Sequence, residues 1–112
     1  MNIDKVSFIK AMDCIHAAMI ANEIEYEKFK SVLGDTEQIA SLFSVEPMVN
    51  LLETLCEDKI GIISTFIYES DWGKYDMWFC NPETNIKYPF KTYEDVYDIL
   101  CHPERDKYEM VV

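Results

Sequence analysis

Two neighbouring pairs of cysteine and histidine are the first residues in this chain that could do chemistry. Cys14 lies two residues before His16, and Cys101 directly precedes His102. A structural zinc site takes its ligands from a tight knuckle or from one face of a helix, whereas residues two apart on a helix point in nearly opposite directions. A catalytic thiolate also needs a base and an oxyanion site around it, which adjacency in sequence does not supply. We therefore predict no metal site and no catalytic cysteine at these pairs.

Acidic residues around Gly73 form the second candidate, because alternating carboxylates beside a glycine are typical of calcium loops. Glu69, Asp71 and Asp76 stand here, but a calcium-binding loop of that kind lies between two helices and ends in a bidentate glutamate. The sequence predicts strands on both sides of Gly73, and the closing position is Cys80. Glycine-rich phosphate loops, serine nucleophile elbows and metalloprotease helices do not occur in the sequence. We therefore expect a protein that is not an enzyme and holds no cofactor.

Carboxylates at helical spacing are the remaining charged pattern. Each pair spans one helical turn, or about 6 Å along the axis, and the pairs are Glu23 with Glu27, Glu53 with Glu57, and Glu94 with Asp98. Rows of carboxylates at this pitch resemble successive phosphates and would suit a groove lined with lysine and arginine. Solvated helix surfaces show the same spacing, so a purely solubilising role stays open.

Two tryptophans are the strongest candidates for contact with a partner protein, because tryptophan and tyrosine dominate the energetics of interfaces. One stands at a predicted hairpin tip, and the other stands on the mixed face of a predicted strand, where a helix of the same chain is the alternative neighbour. The predicted partner-binding residues combine these tryptophans with acidic side chains: Glu69, Asp71, Trp72, Asp76, Trp78, Glu23, Glu27, Glu94 and Asp98.

The formal net charge of −11, from 21 acidic and 10 basic side chains, limits the possible partners. Such a field repels phosphate backbones, so we expect no direct binding of nucleic acid and favour a basic protein partner, such as a nucleic-acid enzyme. No apolar run reaches the length of a membrane span, and the first ten residues lack a signal pattern. Four widely spaced cysteines are typical of a reduced compartment. We expect a cytoplasmic protein that does not bind membranes.

The elements that would position these residues centre on a predicted three-stranded antiparallel meander over residues 60–90. β-Branched and aromatic residues dominate residues 60–68, which predicts the first strand. Asp71 and Gly73 predict the first turn, and residues 75–80 alternate apolar and mixed side chains as the second strand. Residues 81–84, with the sequence NPET, predict the second turn. The third strand is residues 86–90, where Pro89 marks a protected edge.

The predicted first strand is apolar on both faces, which is typical of a strand covered on both sides. One face carries Ile62, Phe66 and Tyr68, and the other carries Ile63, Thr65 and Ile67. Either the helices of this chain cover both faces, or one face belongs to a partner. Large exposed apolar patches are uncommon in monomers, which favours the helices.

Helices are predicted before the meander. Asp4 caps a first helix with an apolar stripe at helical spacing. Asn22, followed three residues later by Glu25, indicates either a new helix or a bend in a continuous one. Gly34 ends this segment as a left-handed cap. The sequence therefore predicts a long helical region, with the break at Asn22 left open.

Capping patterns also predict a later helix on each side of the meander. Glu46 and Pro47 open one before it, and Thr92 with Asp95 caps one after it, which Pro103 stops. Residues 104–112 either fray or add a strand. The predicted fold is α+β in a single domain, residues 1–112, with a helical half over 1–58 and a β-β-β-α half over 59–112.

The segment FIYESDWG, residues 66–73, with the later TYEDVYDIL, resembles a loose group of small uncharacterised proteins from bacteriophages and prophages. In that group an aromatic strand ends in tyrosine and glutamate before an acidic–aromatic–glycine turn, as at Tyr68, Glu69, Asp71, Trp72 and Gly73. The resemblance covers about the C-terminal 40 residues. It implies a phage or mobile-element origin, a setting in which small acidic proteins often inhibit host defence, anti-CRISPR proteins and nucleic-acid mimics among them. It implies no activity and no functional residue.

These features together predict a small acidic protein of phage or mobile-element origin that acts by binding, and that inhibits a host nucleic-acid-binding or defence protein. Two alternatives stay open. The first is a structural or regulatory protein that self-associates through residues 60–68, for which a stable dimer would be evidence. The second is a small enzyme or ligand-binding domain, which a deep pocket lined by converging polar groups would support.

Overall fold

Helices and a small antiparallel sheet alternate along the chain in the computed structural model, which describes residues 2–34, 37–69 and 77–111. The helices are α1 (Lys5–Leu33), α2 (Glu37–Leu42), α3 (Glu46–Leu55), α4 (Ile62–Glu69) and α5 (Tyr93–Leu100). The strands are β1 (Trp78–Cys80), β2 (Lys87–Pro89) and β3 (Glu109–Val111), and a 3₁₀ turn covers Arg105–Lys107. The predicted α+β class is confirmed. Within the described ranges, no helix is both long and apolar enough to cross a membrane.

Helix α1 begins and ends where the sequence predicts. The Asp4 carboxylate accepts a hydrogen bond of 2.8 Å from the Ser7 N–H, which satisfies one of the unpaired donors of the first turn. Gly34, with a φ of +85°, ends the helix and donates its N–H back to the last turn. The helix continues through Asn22, whose side-chain amide donates to the Phe43 carbonyl 3.1 Å away. A second helix start at Asn22 is therefore excluded.

The predicted first strand is wrong, because helix α4 occupies most of residues 60–68. The buried side chains of α4 are Ile62, Ile63, Phe66 and Ile67, and a spacing of one, four and five residues places them on one face of a helix. An extended chain would divide the same side chains between two faces, each needing its own cover. The two apolar faces expected for a strand are a single helical stripe, so strand pairing between two copies through this segment is also excluded.

Asp58 explains why the chain becomes helical at this point. Its side chain is buried, and its carboxylate accepts hydrogen bonds from the N–H groups of Gly61, Ile62 and Ile63 at 3.0, 3.0 and 2.8 Å. The first turn of a helix leaves its N–H groups without partners inside the helix, so one carboxylate satisfies three donors at once. Gly61, with a φ of +79°, takes a backbone conformation that glycine adopts without steric cost.

The sheet has the order β2-β1-β3, and both pairs are antiparallel. Strands β1 and β2 lie within the predicted second and third strands, and β2 lies at an edge, as Pro89 predicts. The NPET turn joins them, with Asn81 Oδ1 accepting from the Glu83 N–H at 2.9 Å. The remaining strand, β3, is formed by residues of the C-terminal tail. Of the two alternatives for the tail, fraying or an added strand, the structure shows the strand. The predicted β-β-β-α order is therefore replaced by α-β-β-α-β.

The predicted starts of α3 and α5 are confirmed. Pro47 lies in the first turn of α3, where a missing N–H costs nothing. At the start of α5, the Asp95 N–H donates to Thr92 Oγ1 at 3.1 Å, and the Thr92 N–H donates to the Asp95 carboxylate at 3.0 Å. This reciprocal pair is a complete capping box.

One apolar cluster connects the helices to the sheet. Phe66 of α4 packs edge-on against Phe90, with ring centroids 5.5 Å apart, and Phe79 of β1 stacks on Tyr108 at 5.1 Å. The buried residues of α1 all lie in its first half, of which His16 is the last. The second half of α1 therefore extends beyond the core, with α2 packed beside it.

Candidate protein-binding groove

A surface groove of about 410 Å³ runs beside the second half of α1. Its walls are α1, the end of α2 with the connection to α3, and the exposed side of α4. The described residues that line it are mostly apolar or aromatic: Met19, Ile20, Asn22, Glu23, Tyr26, Ala40, Phe43, Ser44, Val45 and Tyr68.

Phe43 positions the wall that faces α1. Its carbonyl accepts the hydrogen bond from the Asn22 side chain, and its ring lies 6.2 Å from the Tyr26 ring and 5.9 Å from the Phe29 ring, measured between centroids. Ser44 then accepts a hydrogen bond from the Glu46 N–H at 3.1 Å, which supports the start of α3. The connection between α2 and α3 is thus tied to α1 by one polar contact and two aromatic ones.

Tyr68 forms the opposite wall, and the pKa of its phenol reflects the burial and the charges around it. The ring is 51% exposed, and α4 presents it on the side opposite to the buried stripe. Partial burial raises the pKa of the Tyr68 phenol, and the nearby carboxylates of Glu46 and Glu53 raise it further. Burial also raises the pKa of Glu53, with a smaller contribution from Asp58. This wall therefore combines an aromatic ring with negative charge.

Glu23 places a further carboxylate on the α1 side of the groove. Ile20, also in the lining, and Ile24, one turn further along α1, are both more than half exposed. Among the described residues that line the groove, Glu23 is the acidic one. The arrangement offers contacts to apolar side chains and a negative rim for a cation beside them.

Three of the predicted partner-binding residues belong to this region. Glu23 lines the groove, Glu27 is exposed one turn further along α1, and Glu69 is exposed directly after Tyr68. The aromatic members Tyr26, Phe43 and Tyr68 were not among the predicted site residues. The sequence placed Tyr68 in the predicted first strand, and no local pattern indicates that Tyr26, Phe43 and Tyr68 would line one groove.

The other predicted residues lie on different surfaces. Trp78 is 37% exposed on the outer face of the sheet. Glu94 lines a separate cavity of about 240 Å³ beside His16, and the Asp98 carboxylate accepts from Lys5 Nζ at 3.0 Å. The positions Asp71, Trp72 and Asp76, together with the predicted turn at Gly73, lie outside the described residues.

His16 is a buried titratable side chain of α1 that contacts α5. Its Nδ1 is hydrogen-bonded to the Tyr93 hydroxyl, which also donates to the Asp13 carboxylate at 3.4 Å. Burial lowers the pKa of His16 to about 4, although Asp13 acts in the opposite direction, and burial raises the pKa of Tyr93 to about 12. Both side chains are therefore neutral at pH 7. The pair ties α1 to α5 beneath the cavity that Glu94 lines.

The low pKa of His16 predicts a loss of stability in acid. The unfolded chain binds a proton at His16 below its ordinary pKa of 6.5, while the folded chain binds it only near pH 4. The stabilising contribution is therefore complete above pH 6.5 and is lost as the pH falls to about 4. We expect it to be about 1–2 kcal/mol, because His16 lies at the edge of the core, where solvent screening reduces the full linkage value.

Urea unfolding from pH 4 to pH 7 measures this contribution, with His16→Gln as the control variant. Carboxylates titrate in the same range in both proteins, so the difference between the two curves isolates the imidazole. The wild-type curve should fall more steeply with acid. Parallel curves would contradict the assignment of His16 as a buried neutral side chain.

The two cysteine–histidine pairs do not converge. Cys14 is exposed on α1 whereas His16 is buried. Cys101 is also exposed, and His102 accepts a hydrogen bond from the Glu104 N–H through Nδ1 while Nε2 contacts the Tyr88 hydroxyl. In the part of the chain that the structure describes, no three potential metal ligands cluster.

Comparison of the chain with models of protein families, with curated proteins and with solved structures found no match.

Proposed function

We propose that this protein acts by binding another protein, and that the groove beside the second half of α1 receives a basic amphipathic segment of that partner. The observation that carries the proposal is the combination of an apolar and aromatic lining with the Glu23 carboxylate. The carboxylates of Glu46 and Glu53, which raise the pKa of Tyr68, add negative charge near that wall. Amphipathic helices commonly dock their apolar face into such grooves. The net charge of −11 favours a partner segment whose flanks carry lysine or arginine.

A more specific version of the proposal is that the partner is a nucleic-acid-binding protein and that binding inhibits it. Such proteins present lysine and arginine on exposed surfaces, which suits both the groove and the acidic surface as a whole. The phage origin implied by the sequence resemblance would make a host defence protein the target, in the manner of anti-CRISPR inhibitors. A complex in which the partner still binds its nucleic acid would contradict inhibition but not binding.

A model peptide tests the groove directly. The probe is a fluorescein-labelled synthetic helix with leucine on one face and lysine on the other, and its binding is followed by fluorescence anisotropy. Two control peptides carry the same residues in scrambled order and glutamate in place of lysine. We expect binding of the amphipathic basic peptide alone, with an affinity that falls as salt is added.

Glu23→Lys should weaken binding of the basic peptide about tenfold, because it replaces attraction with repulsion at the rim. Glu94→Lys is the matched control, since it changes the net charge equally and lies at a different cavity. Tyr68→Ala should also weaken binding, through loss of apolar contact. Equal effects of the two lysine variants, or binding that salt does not change, would contradict a specific role for the groove.

A further inference from the structure

The outer face of the sheet carries an exposed apolar row that the groove does not include. Trp78 of β1 pairs with Pro89 of β2 and with Val111 of β3, and cross-strand partners project from the same face. Trp78 is 37% exposed and Val111 is 45% exposed. The inner face behind this row is formed by the alternate residues, of which Phe79 is fully buried. The outer face of the sheet therefore carries a tryptophan and other apolar side chains that the described parts of the chain leave partly exposed to solvent.

A charged row lies beside the apolar one on the same face. Cys80 of β1 pairs with Lys87 of β2 on one side and with Glu109 of β3 on the other. Both charged side chains are exposed, and Cys80 is half-buried between them. The face thus carries a positive charge at one edge, a negative charge at the other, and uncharged side chains along the central strand.

We propose that two copies of this chain associate through this face, stacked about a two-fold axis that runs parallel to β1. Such a rotation exchanges the two edges of the sheet, so Lys87 of each copy lies over Glu109 of the other. Trp78 then lies over its own symmetry mate, as residues near the axis of an isologous interface do. The charge pattern is self-complementary in this arrangement, which is the observation that selects a second copy as the occupant.

The association is weak and depends on concentration. The face has about six side chains per copy, far fewer than the roughly 20–30 residues a side of a standard interface. Each copy also carries a net charge of −11, so the two copies repel each other at long range. Added salt screens this repulsion, and the dimer therefore strengthens with salt, whereas binding of a basic peptide in the groove weakens.

Sedimentation equilibrium of the full chain at 0.15 M and 0.5 M salt, as approximate working conditions, tests self-association. We expect a monomer–dimer equilibrium that shifts severalfold towards the dimer at the higher salt. Trp78→Ser should return the chain to a monomer while leaving its far-ultraviolet circular dichroism unchanged. A chain that stays monomeric throughout, or a dimer that Trp78→Ser does not weaken, overturns the proposal.

Reversing the charges at positions 87 and 109 distinguishes the effect of local ion pairing on dimerisation from the effect of the overall net charge. Glu109→Lys changes the net charge from −11 to −9, so overall charge alone predicts a stronger dimer. Local pairing predicts about tenfold weaker association, because lysine then faces Lys87 of the other copy at two places. Adding Lys87→Glu to Glu109→Lys restores both the pairing and the net charge, and should restore the dimer. A stronger dimer in Glu109→Lys alone overturns the proposed geometry.

Cys80 provides a direct distance test. Stacked sheets lie about 10 Å apart, which is too far for a disulfide but suits a short bismaleimide crosslinker. The test uses a Cys14→Ser/Cys101→Ser background, because both of those thiols are exposed, while burial raises the pKa of Cys56 to about 11 and slows its reaction. A covalent dimer that disappears on adding Cys80→Ser is the expected result, and no covalent dimer overturns the proposal.

Discussion

Replacing Asp58 with alanine should lower the free energy of unfolding by about 2–3 kcal/mol, because its buried carboxylate accepts three hydrogen bonds from the start of α4. Removal of the carboxylate leaves the N–H groups of Gly61, Ile62 and Ile63 without that acceptor. Asp58→Asn is nearly isosteric but turns one acceptor into a donor, and should cost about 1–2 kcal/mol. Urea unfolding followed by circular dichroism measures both changes.

Asp106→Ala is the control for this prediction, since Asp106 is an exposed aspartate in the 3₁₀ turn, where we expect a change within about 0.5 kcal/mol. Amide hydrogen exchange locates the effect. In Asp58→Ala, the N–H groups at the start of α4 should exchange faster than those of the first half of α1. An unfolding free energy within 0.5 kcal/mol of wild type, on the same criterion, would show that Asp58 is not what holds the helix start.

Replacing Arg105 with methionine should also lower the free energy of unfolding by about 2–3 kcal/mol. Nη1 of Arg105 donates to the carbonyls of Leu100 and Cys56 at 2.6 and 3.2 Å, and Nη2 donates to the Glu57 carbonyl at 2.6 Å. These carbonyls lie at the C-terminal ends of α5 and α3, where a positive charge is favourable. A single guanidinium therefore joins two helix ends to the segment that leads into β3.

Arg105→Lys separates charge from geometry. Lysine keeps the charge but lacks the planar fork that reaches three carbonyls, so this variant should still lose about 1–2 kcal/mol. Lys107→Met is the control, because Lys107 is exposed and its ion pair with Glu104 spans 3.8 Å, which contributes little. We also expect faster amide exchange in β3 of the Arg105 variants. Wild-type stability in Arg105→Lys would mean that the forked geometry adds nothing.

Side-chain caps were predicted well from the sequence because their partners are three residues away. Asp4 with Ser7, and Thr92 with Asp95, form their hydrogen bonds within one turn of helix, so their geometry depends little on the rest of the fold. The NPET turn is local for the same reason. Where the interacting groups are close along the chain, residue types alone determine the structure.

Residues 62–69 show how a local pattern is misread. β-Branched and aromatic residues favour a strand, but the spacing of the apolar residues also matches one face of a helix. Tertiary contacts decide between the two: Phe66 packs on Phe90 from a distant part of the sequence, and Asp58 satisfies the first turn. A sequence that suits both a helix and a strand adopts the helix when the helix buries its apolar stripe against a single surface.

The sequence by itself determined the helix boundaries marked by caps, the turn before β2, the edge position of Pro89 and the acidic character of the surface. Tertiary structure alone decided that the tail forms β3 beside β1, that Arg105 joins two helix ends, and which residues line the groove. Trp78 and Val111 pair across more than thirty positions of sequence, and no periodicity encodes such a partner. Local hydrogen bonds depend on neighbours along the chain, whereas strand partners and grooves depend on how the assembled elements bury their apolar faces.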